Sequence, residues 1–196
     1  PGHDPERRCP GPLSAQLLET ITVWSRSQHR IIAASAAFAD SVEWVLAGSP
    51  TPAHWLAAVA DVETATAREW IRIGRQLRTL PATADAFRIG DISYSKVRAL
   101  TRIATPQNEA ELLQIAFDTP ASHLSRALAE WTNRNNDPED ITDYQHRQRS
   151  VKWRTEPDGM VTFTLRLPPL LAGALIAIPA PGSAGVIAIC ALMLTR

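Results

Sequence analysis

Four arginines in the middle of the chain have the spacing of side chains along one side of a helix. They are Arg68, Arg72, Arg75 and Arg78. At 3.6 residues per turn they fall within about 120° of one another, while the apolar Trp70, Ile73 and Leu77 lie opposite. Guanidinium groups in such a row can neutralise successive phosphates of a nucleic acid. The alternative is a solvated helix face that forms ion pairs with the acidic residues 105–143, and the sequence leaves both interpretations open.

A second pair of arginines follows in a segment with the outline of a helix-turn-helix. Residues 81–104 are predicted as two short helices around a turn at Gly90. Arg98 and Arg102 point away from the apolar side of the second helix, so they too could reach phosphate. A helical hairpin with a glycine turn is also common in ordinary bundles. We take the six arginines together as the candidate nucleic-acid-binding residues.

The sequence offers little that could do covalent chemistry. Its five histidines are scattered, and no H-E-x-x-H, phosphate loop, G-x-S-x-G or G-x-G-x-x-G is present. Ser122 and His123 are adjacent on a predicted helix, so their side chains diverge and form no nucleophile–base pair. We therefore expect no catalytic residues, no metal site, no cofactor and no small-molecule substrate.

Charge and cysteine content restrict the compartment and the partners. The net charge is zero, but residues 64–104 carry a net +5 and residues 105–143 a net −6. Such asymmetry creates a local positive field or pairs neighbouring helices. Cys9 and Cys190 stand near opposite ends without close-spaced partners, which fits a reducing cytosol better than a disulfide framework. With no signal peptide at its start, the chain is expected to be cytoplasmic.

Apolar spacings of three and four predict a series of helices from Leu13 onward, beginning with one long helix or two joined near Ser27. Pro52, Asp61, Ser93 and the Thr-Pro steps at 105–106 and 119–120 are expected to start later helices. After a polar stretch the periodicity changes to two, which predicts a β-hairpin around Pro157-Asp158-Gly159. The hairpin's polar side carries Lys152, Arg154 and Arg166, which we interpret as solvated charges.

The predicted fold class is mainly α: a multi-helix bundle with a C-terminal β-hairpin packed on it. A transmembrane helix is not expected, because prolines and a glycine divide the last apolar stretch into two runs that are each too short. The predicted segments are a disordered tail at 1–12, the helical bundle at 13–134, a linker at 135–150, the hairpin and a short helix of the same module at 151–178, and an atypical apolar tail at 179–196.

Several short motifs resemble the actinobacterial domain of unknown function 222 family, which has a mycobacterial repeat family among its members. The motifs are Leu80-Pro81, Phe87 with Gly90-Asp91-Ile92-Ser93, Val97-Arg98-Ala99-Leu100-Thr101, Asp158-Gly159-Met160, and Arg166-Leu167-Pro168-Pro169. The resemblance spans about residues 13 to 178 and implies a helical module that often precedes an HNH nuclease domain. No His-Asn-His pattern or Cys-x-x-Cys pair occurs here, so the nuclease role cannot be transferred, and we interpret the tail as truncated or frameshifted.

The leading hypothesis is a non-catalytic helical module that contacts DNA or positions an HNH nuclease domain. A competing hypothesis is a protein–protein interaction module, in which the basic and acidic segments pair between copies of the chain. A third is a non-functional remnant of a truncated gene. Salt-sensitive DNA binding distinguishes the first from the others.

Overall fold

The computed structural model describes residues 11–176. Cys9, Cys190, most of the predicted N-terminal tail and the whole of the apolar tail at 179–196 lie outside the described residues. Within the described range, the predicted fold class is confirmed: the chain is mainly α, with one two-stranded antiparallel hairpin. The elements are α1 (Pro12–Ala39), α2 (Glu43–Leu46), α3 (Pro52–Ala60), α4 (Thr64–Leu77), α5 (Pro81–Ile89), α6 (Tyr94–Leu100), α7 (Glu109–Asp118), α8 (Ala121–Asn135), α9 (Pro138–Arg147), β1 (Ser150–Thr155), β2 (Val161–Arg166) and α10 (Pro169–Ile176).

The chain forms two compact units, one up to Trp131 and one from Thr132. In the first unit, α1 is the longest helix and runs through Ser27 without a break. It packs against α4 and α5, with a further contact to α3. The closest approach is at Gly74 of α4, where a Cβ atom would lie 2.4 Å from the carbonyl oxygen of Ile32 and 2.7 Å from the Cβ of Ala36. Only glycine fits this crossing.

The core of the first unit is a continuous apolar cluster contributed by α1 and α4 to α8. Its fully buried side chains include Ile32, Ile73, Phe87, Leu100 and Leu112. Burial of such side chains is the main driving force for packing the helices together. Ile73 and Leu77 are buried and Trp70 is half-buried against the same cluster, so the predicted apolar side of α4 is confirmed.

Several helix boundaries follow the predicted capping residues. The hydroxyl of Thr51 accepts a hydrogen bond from the backbone N–H of His54 beside Pro52, and Ser93 caps α6 in the same way. Gly90 ends α5 in the left-handed region at φ 93°, where a glycine has no Cβ to clash. Because these signals are local, the sequence alone is enough to predict them.

Two predicted helix starts are wrong. Asp61 does not cap α4: it ends α3 with φ 52°, and α4 begins only at Thr64. Thr105 does not begin a helix either, since the Asn108 side chain accepts a hydrogen bond from the Thr105 N–H at 2.6 Å and closes a turn first. Helix α7 then starts at Glu109. At Asp61 the left-handed backbone and a hydrogen bond from its N–H to the Ala57 carbonyl end α3, whereas at Thr105 the Asn108 side chain competes with the helix for a backbone N–H.

The N-terminus of α5 is capped from a distant part of the chain. Leu80 offers it no capping side chain, and the buried Glu109 instead accepts a hydrogen bond from the Thr83 N–H at 2.7 Å. A carboxylate at a helix N-terminus satisfies a free N–H and favours the helix dipole. This contact joins α5 to α7.

The second unit contains a helix where a linker was predicted. Residues 135–150 include α9, which Asp137 caps through the Glu139 N–H. Acidic residues occupy its first turn, while His146 and Arg147 occupy its last, so both ends complement the helix dipole. The polar composition that indicated a linker belongs instead to a solvent-exposed helix.

The predicted β-hairpin is confirmed. Its register pairs Trp153 with Phe163 and Val151 with Leu165 on one side, and Lys152 with Thr164 on the other. Gly159 has φ 83° in the connecting turn, as a left-handed turn position requires. Trp153 and Phe163 are 70% and 64% exposed.

None of the helices between residues 11 and 176 combines the length and the apolar character that crossing a bilayer requires.

Candidate nucleic-acid interface

The structure places all six predicted arginines in the first unit. Three are on α4, one follows it, one is on α6 and one follows α6: Arg68, Arg72, Arg75, Arg78, Arg98 and Arg102. Arg72 is half-buried and the other five are exposed. Burial of the opposite side of α4 explains this distribution, because it turns the arginine side toward solvent.

Asp40, at the C-terminal end of α1, binds two of these arginines. Its two carboxylate oxygens accept hydrogen bonds from Arg75 at 2.6 Å and from Arg78 at 2.5 Å. The hydrogen bonds from Arg78 and Arg75 hold the pKa of the Asp40 carboxyl below its ordinary value, because they stabilise the charged form. All three side chains remain 39–52% exposed, so solvent still reaches them.

Glu69 binds a second pair of arginines. Arg72 donates to both of its oxygens, at 2.9 and 3.0 Å, and Arg102 donates to one of them at 3.0 Å. Arg72 also donates to the Thr101 carbonyl at 2.9 Å, which ties α4 to the end of α6. The hydrogen bonds from Arg72 lower the pKa of Glu69, against the opposing effect of burial.

The alternative ion pairing expected from the sequence is wrong in its partners. The carboxylates that bind these arginines are Asp40 and Glu69, and none belongs to residues 105–143. The acidic helix α7 packs against α5 and α6 and has no comparable contact with α4. Its buried Glu109 already accepts a hydrogen bond from the Thr83 N–H. Asp40 lies 35 residues before Arg75 in the sequence, so periodicity gave no sign of this pairing.

Arginines outnumber carboxylates in this cluster. Four of the six guanidinium groups pair with two carboxylates. Six positive charges against two negative charges leave an excess of four. Among residues 11–176, neither Arg68 nor Arg98 forms an ion pair. We call these six residues the arginine surface. Its excess charge produces a local positive potential on a chain with no net charge.

Part of the arginine surface lines an open groove of about 440 Å³. Arg68, Arg72 and Arg75 form one wall, and the start of α3 at Thr51 and Pro52 forms the other. Several guanidinium groups around one concavity suit a phosphate, which accepts hydrogen bonds from more than one donor.

A second recess, of about 430 Å³, lies where α1, α4 and α6 meet. Its lining residues are Gln28, Ala65, Thr66, Glu69, Trp70, Tyr94 and Arg98. Burial, with a contribution from the Glu69 carboxylate, raises the pKa of the Tyr94 hydroxyl, which therefore stays neutral at ordinary pH. The sequence pattern assigns Trp70 only to the core and gives no indication of Gln28 or Tyr94 as site residues. The one available signal was the four-residue spacing of Tyr94 and Arg98, which places them on one side of a helix.

Within the ranges that the structure describes, no three His, Cys, Asp or Glu side chains come together in an arrangement that could hold a metal ion.

The chain matches a protein-family model over most of its length. A family model described as "Domain of unknown function (DUF222)" matches residues 18–180. No curated protein and no solved structure matches the chain. The matched range includes every residue of the arginine surface and of both concavities.

Proposed function

Because the chain belongs to the family described as a domain of unknown function (DUF222), whose description states no activity, we propose a function from the geometry: the helical module binds the phosphate backbone of nucleic acid. The binding is independent of base sequence and non-catalytic. In this proposal the module is cytoplasmic and holds DNA for an HNH nuclease domain, the partner that the family resemblance implies.

The excess of positive charge on the arginine surface carries this proposal. Two carboxylates fix the directions of four arginines, while Arg68 and Arg98 have no ion pair among the described side chains. Phosphate contacts from arginines position a protein on nucleic acid but carry no sequence information themselves.

The existing ion pairs do not prevent phosphate binding. Pairs between exposed side chains contribute only about 0–1 kcal/mol each, and Asp40, Arg75 and Arg78 are all partly exposed. A phosphate can therefore share or replace Asp40 as the partner of these two arginines. Glu69 is less exposed than Asp40, so its ion pairs are expected to persist.

The test is fluorescence anisotropy with a labelled oligonucleotide over a series of salt concentrations. We expect binding that weakens steeply with salt, because bound phosphates release counterions. In the double variant Arg68→Ala/Arg98→Ala, the slope of log K against log salt should become shallower by about 1.8 for duplex DNA, or about 0.9 per lost contact.

The matched control is Arg126→Ala. Arg126 is an exposed arginine on α8 that pairs with Glu130, away from the arginine surface. Its removal should leave the slope unchanged. If the native protein shows no salt-sensitive binding to duplex or single-stranded DNA at micromolar concentration, the proposal is wrong.

A second candidate function, self-association, is favoured by an apolar row on α1. Leu17, Ile21 and Trp24 follow at intervals of four and three residues and are 52–61% exposed. This spacing is that of helices pairing through a common seam, and the neighbouring Thr20 and Ser27 add no charge repulsion. A second copy of the chain offers the complementary row.

A further inference from the structure

The recess between α1, α4 and α6 has the chemistry of a site for a flat, polar ring. Trp70 and Tyr94 supply aromatic side chains, and Gln28 supplies an amide with both donors and acceptors. Arg98 supplies an exposed planar guanidinium group with no ion pair in the described part of the chain. Aromatic and guanidinium planes are the surfaces on which unpaired nucleobases stack, and amides read their edges.

The size of the recess and its opening suit such a ring. Its volume of about 430 Å³ lies in the usual range for small-ligand sites, about 300–1,000 Å³. Ala65 and Thr66 form its rim on the first turns of α4, and their short side chains leave the entrance open. Both aromatic residues also pack against the core, so the rings are held in place before a ligand arrives.

The recess adjoins the arginine surface. Glu69 lines the recess and forms the ion pair with Arg72, which lines the phosphate groove. Arg98 belongs to both the recess and the arginine surface. A strand whose phosphates follow the arginines therefore passes the entrance of the recess.

We propose that this recess binds an unpaired nucleobase, so that the module prefers single-stranded over duplex nucleic acid. The inference rests on the proposed phosphate-backbone function and deepens it. In a duplex the base is stacked and paired, and its extrusion carries a free-energy cost. In a single strand the base enters without this cost, and a base–aromatic stack accounts for roughly a tenfold or greater gain in affinity.

The experiment compares a thymine oligonucleotide of about 16 residues with a duplex of the same length, by anisotropy at one salt concentration. We expect tighter binding of the single strand. Ala65→Leu narrows the entrance of the recess at an exposed helix position, and Tyr94→Leu removes a ring. Each should weaken single-strand binding about tenfold and leave duplex binding unchanged. The matched control is Ala110→Leu, at an exposed position on α7 outside the recess.

Thermal unfolding followed by circular dichroism shows whether each variant is folded. Ala65→Leu carries the test if Tyr94→Leu unfolds, because leucine at an exposed helix position adds no strain. Equal affinity for the two DNA forms, or an Ala65→Leu variant that binds single strands like the native protein, overturns the base recess while leaving the phosphate proposal intact. If the native protein binds neither form of DNA, the phosphate proposal is overturned instead.

Discussion

Asp40 and Glu69 each bind two arginines, and this sharing determines how much positive charge reaches solvent. Both carboxyl groups have a pKa held below the ordinary value by hydrogen bonds from arginine. A carboxyl group whose folded-state pKa is lowered stabilises the fold above its unfolded-state pKa, and this stabilisation is lost as pH falls through the folded-state pKa. At neutral pH both groups are charged and both clusters are intact.

We expect Asp40→Asn to increase affinity for nucleic acid. The substitution removes the carboxylate that holds Arg75 and Arg78, so two more cations are available to phosphate. The salt slope for duplex DNA should steepen by about 0.9 to 1.8, measured by anisotropy across a salt series. Asp85→Asn, at an exposed pair with Arg88 on α5, serves as the control and should change nothing. An unchanged or shallower slope in Asp40→Asn would show that Asp40 does not limit the contacts of Arg75 and Arg78 with phosphate.

Residue patterns predicted which arginines would be exposed but not what they would bind. The exposed side of α4, which carries Arg68 and Arg75 and leads to Arg78, followed from a period of 3.6. The partner Asp40 comes from another helix, through a contact that no local pattern encodes. The recess was missed for the same reason, because Gln28, Trp70 and Tyr94 come from three different helices.

Among the elements, the helices α1 and α4 form the most extensive helix–helix contact of the first unit. Helix starts at Pro52 and Ser93 could be predicted because caps depend on two to four neighbouring residues. The true start of α4 and the presence of α9 could not, because Asp61 takes the left-handed conformation that ends α3, and α9 depends on charges that complement the helix dipole. From the sequence alone, Gly74 inside a helix is expected to destabilise that helix. The structure shows that a glycine is needed there, because a Cβ atom would clash with the backbone of Ile32.

Gly74→Ala is expected to lower the free energy of unfolding by about 1–3 kcal/mol, despite the better helix propensity of alanine. The added Cβ would lie 2.4 Å from a backbone oxygen that cannot move aside alone. Chemical denaturation followed by circular dichroism measures this change. The control is Gly173→Ala in α10, where no atom lies within 4 Å of the added Cβ. If both variants are equally stable, the helices do not cross this closely in solution.

At the scale of the whole molecule, salt affects binding through the arginines and association through apolar surface differently. Phosphate binding weakens as salt rises, because counterions compete for the arginines. Association through exposed apolar side chains does not weaken in this way, since burial of apolar surface is not a charge effect. The two candidate functions can therefore be separated in one series of solutions.

Light scattering across that series tests self-association through α1. If the row of Leu17, Ile21 and Trp24 pairs copies of the chain, the dimer should persist at high salt, and Trp24→Ser should shift it to monomer. Thr20→Ser, a change on the same helix that adds no apolar surface, serves as the control. A native protein that is monomeric at every salt and protein concentration tested excludes this function.

The tight crossing at Gly74 also has a consequence for recognition. With no layer of side chains between the two backbones, α1 and α4 cannot slide or repack there without large strain. Arg75 follows Gly74 directly and Asp40 ends the opposing helix, so the glycine fixes how far apart these opposite charges stand. The core beneath the arginine surface thus preorganises its side chains. An anion that binds there does not have to order them, because folding has already met that conformational-entropy cost.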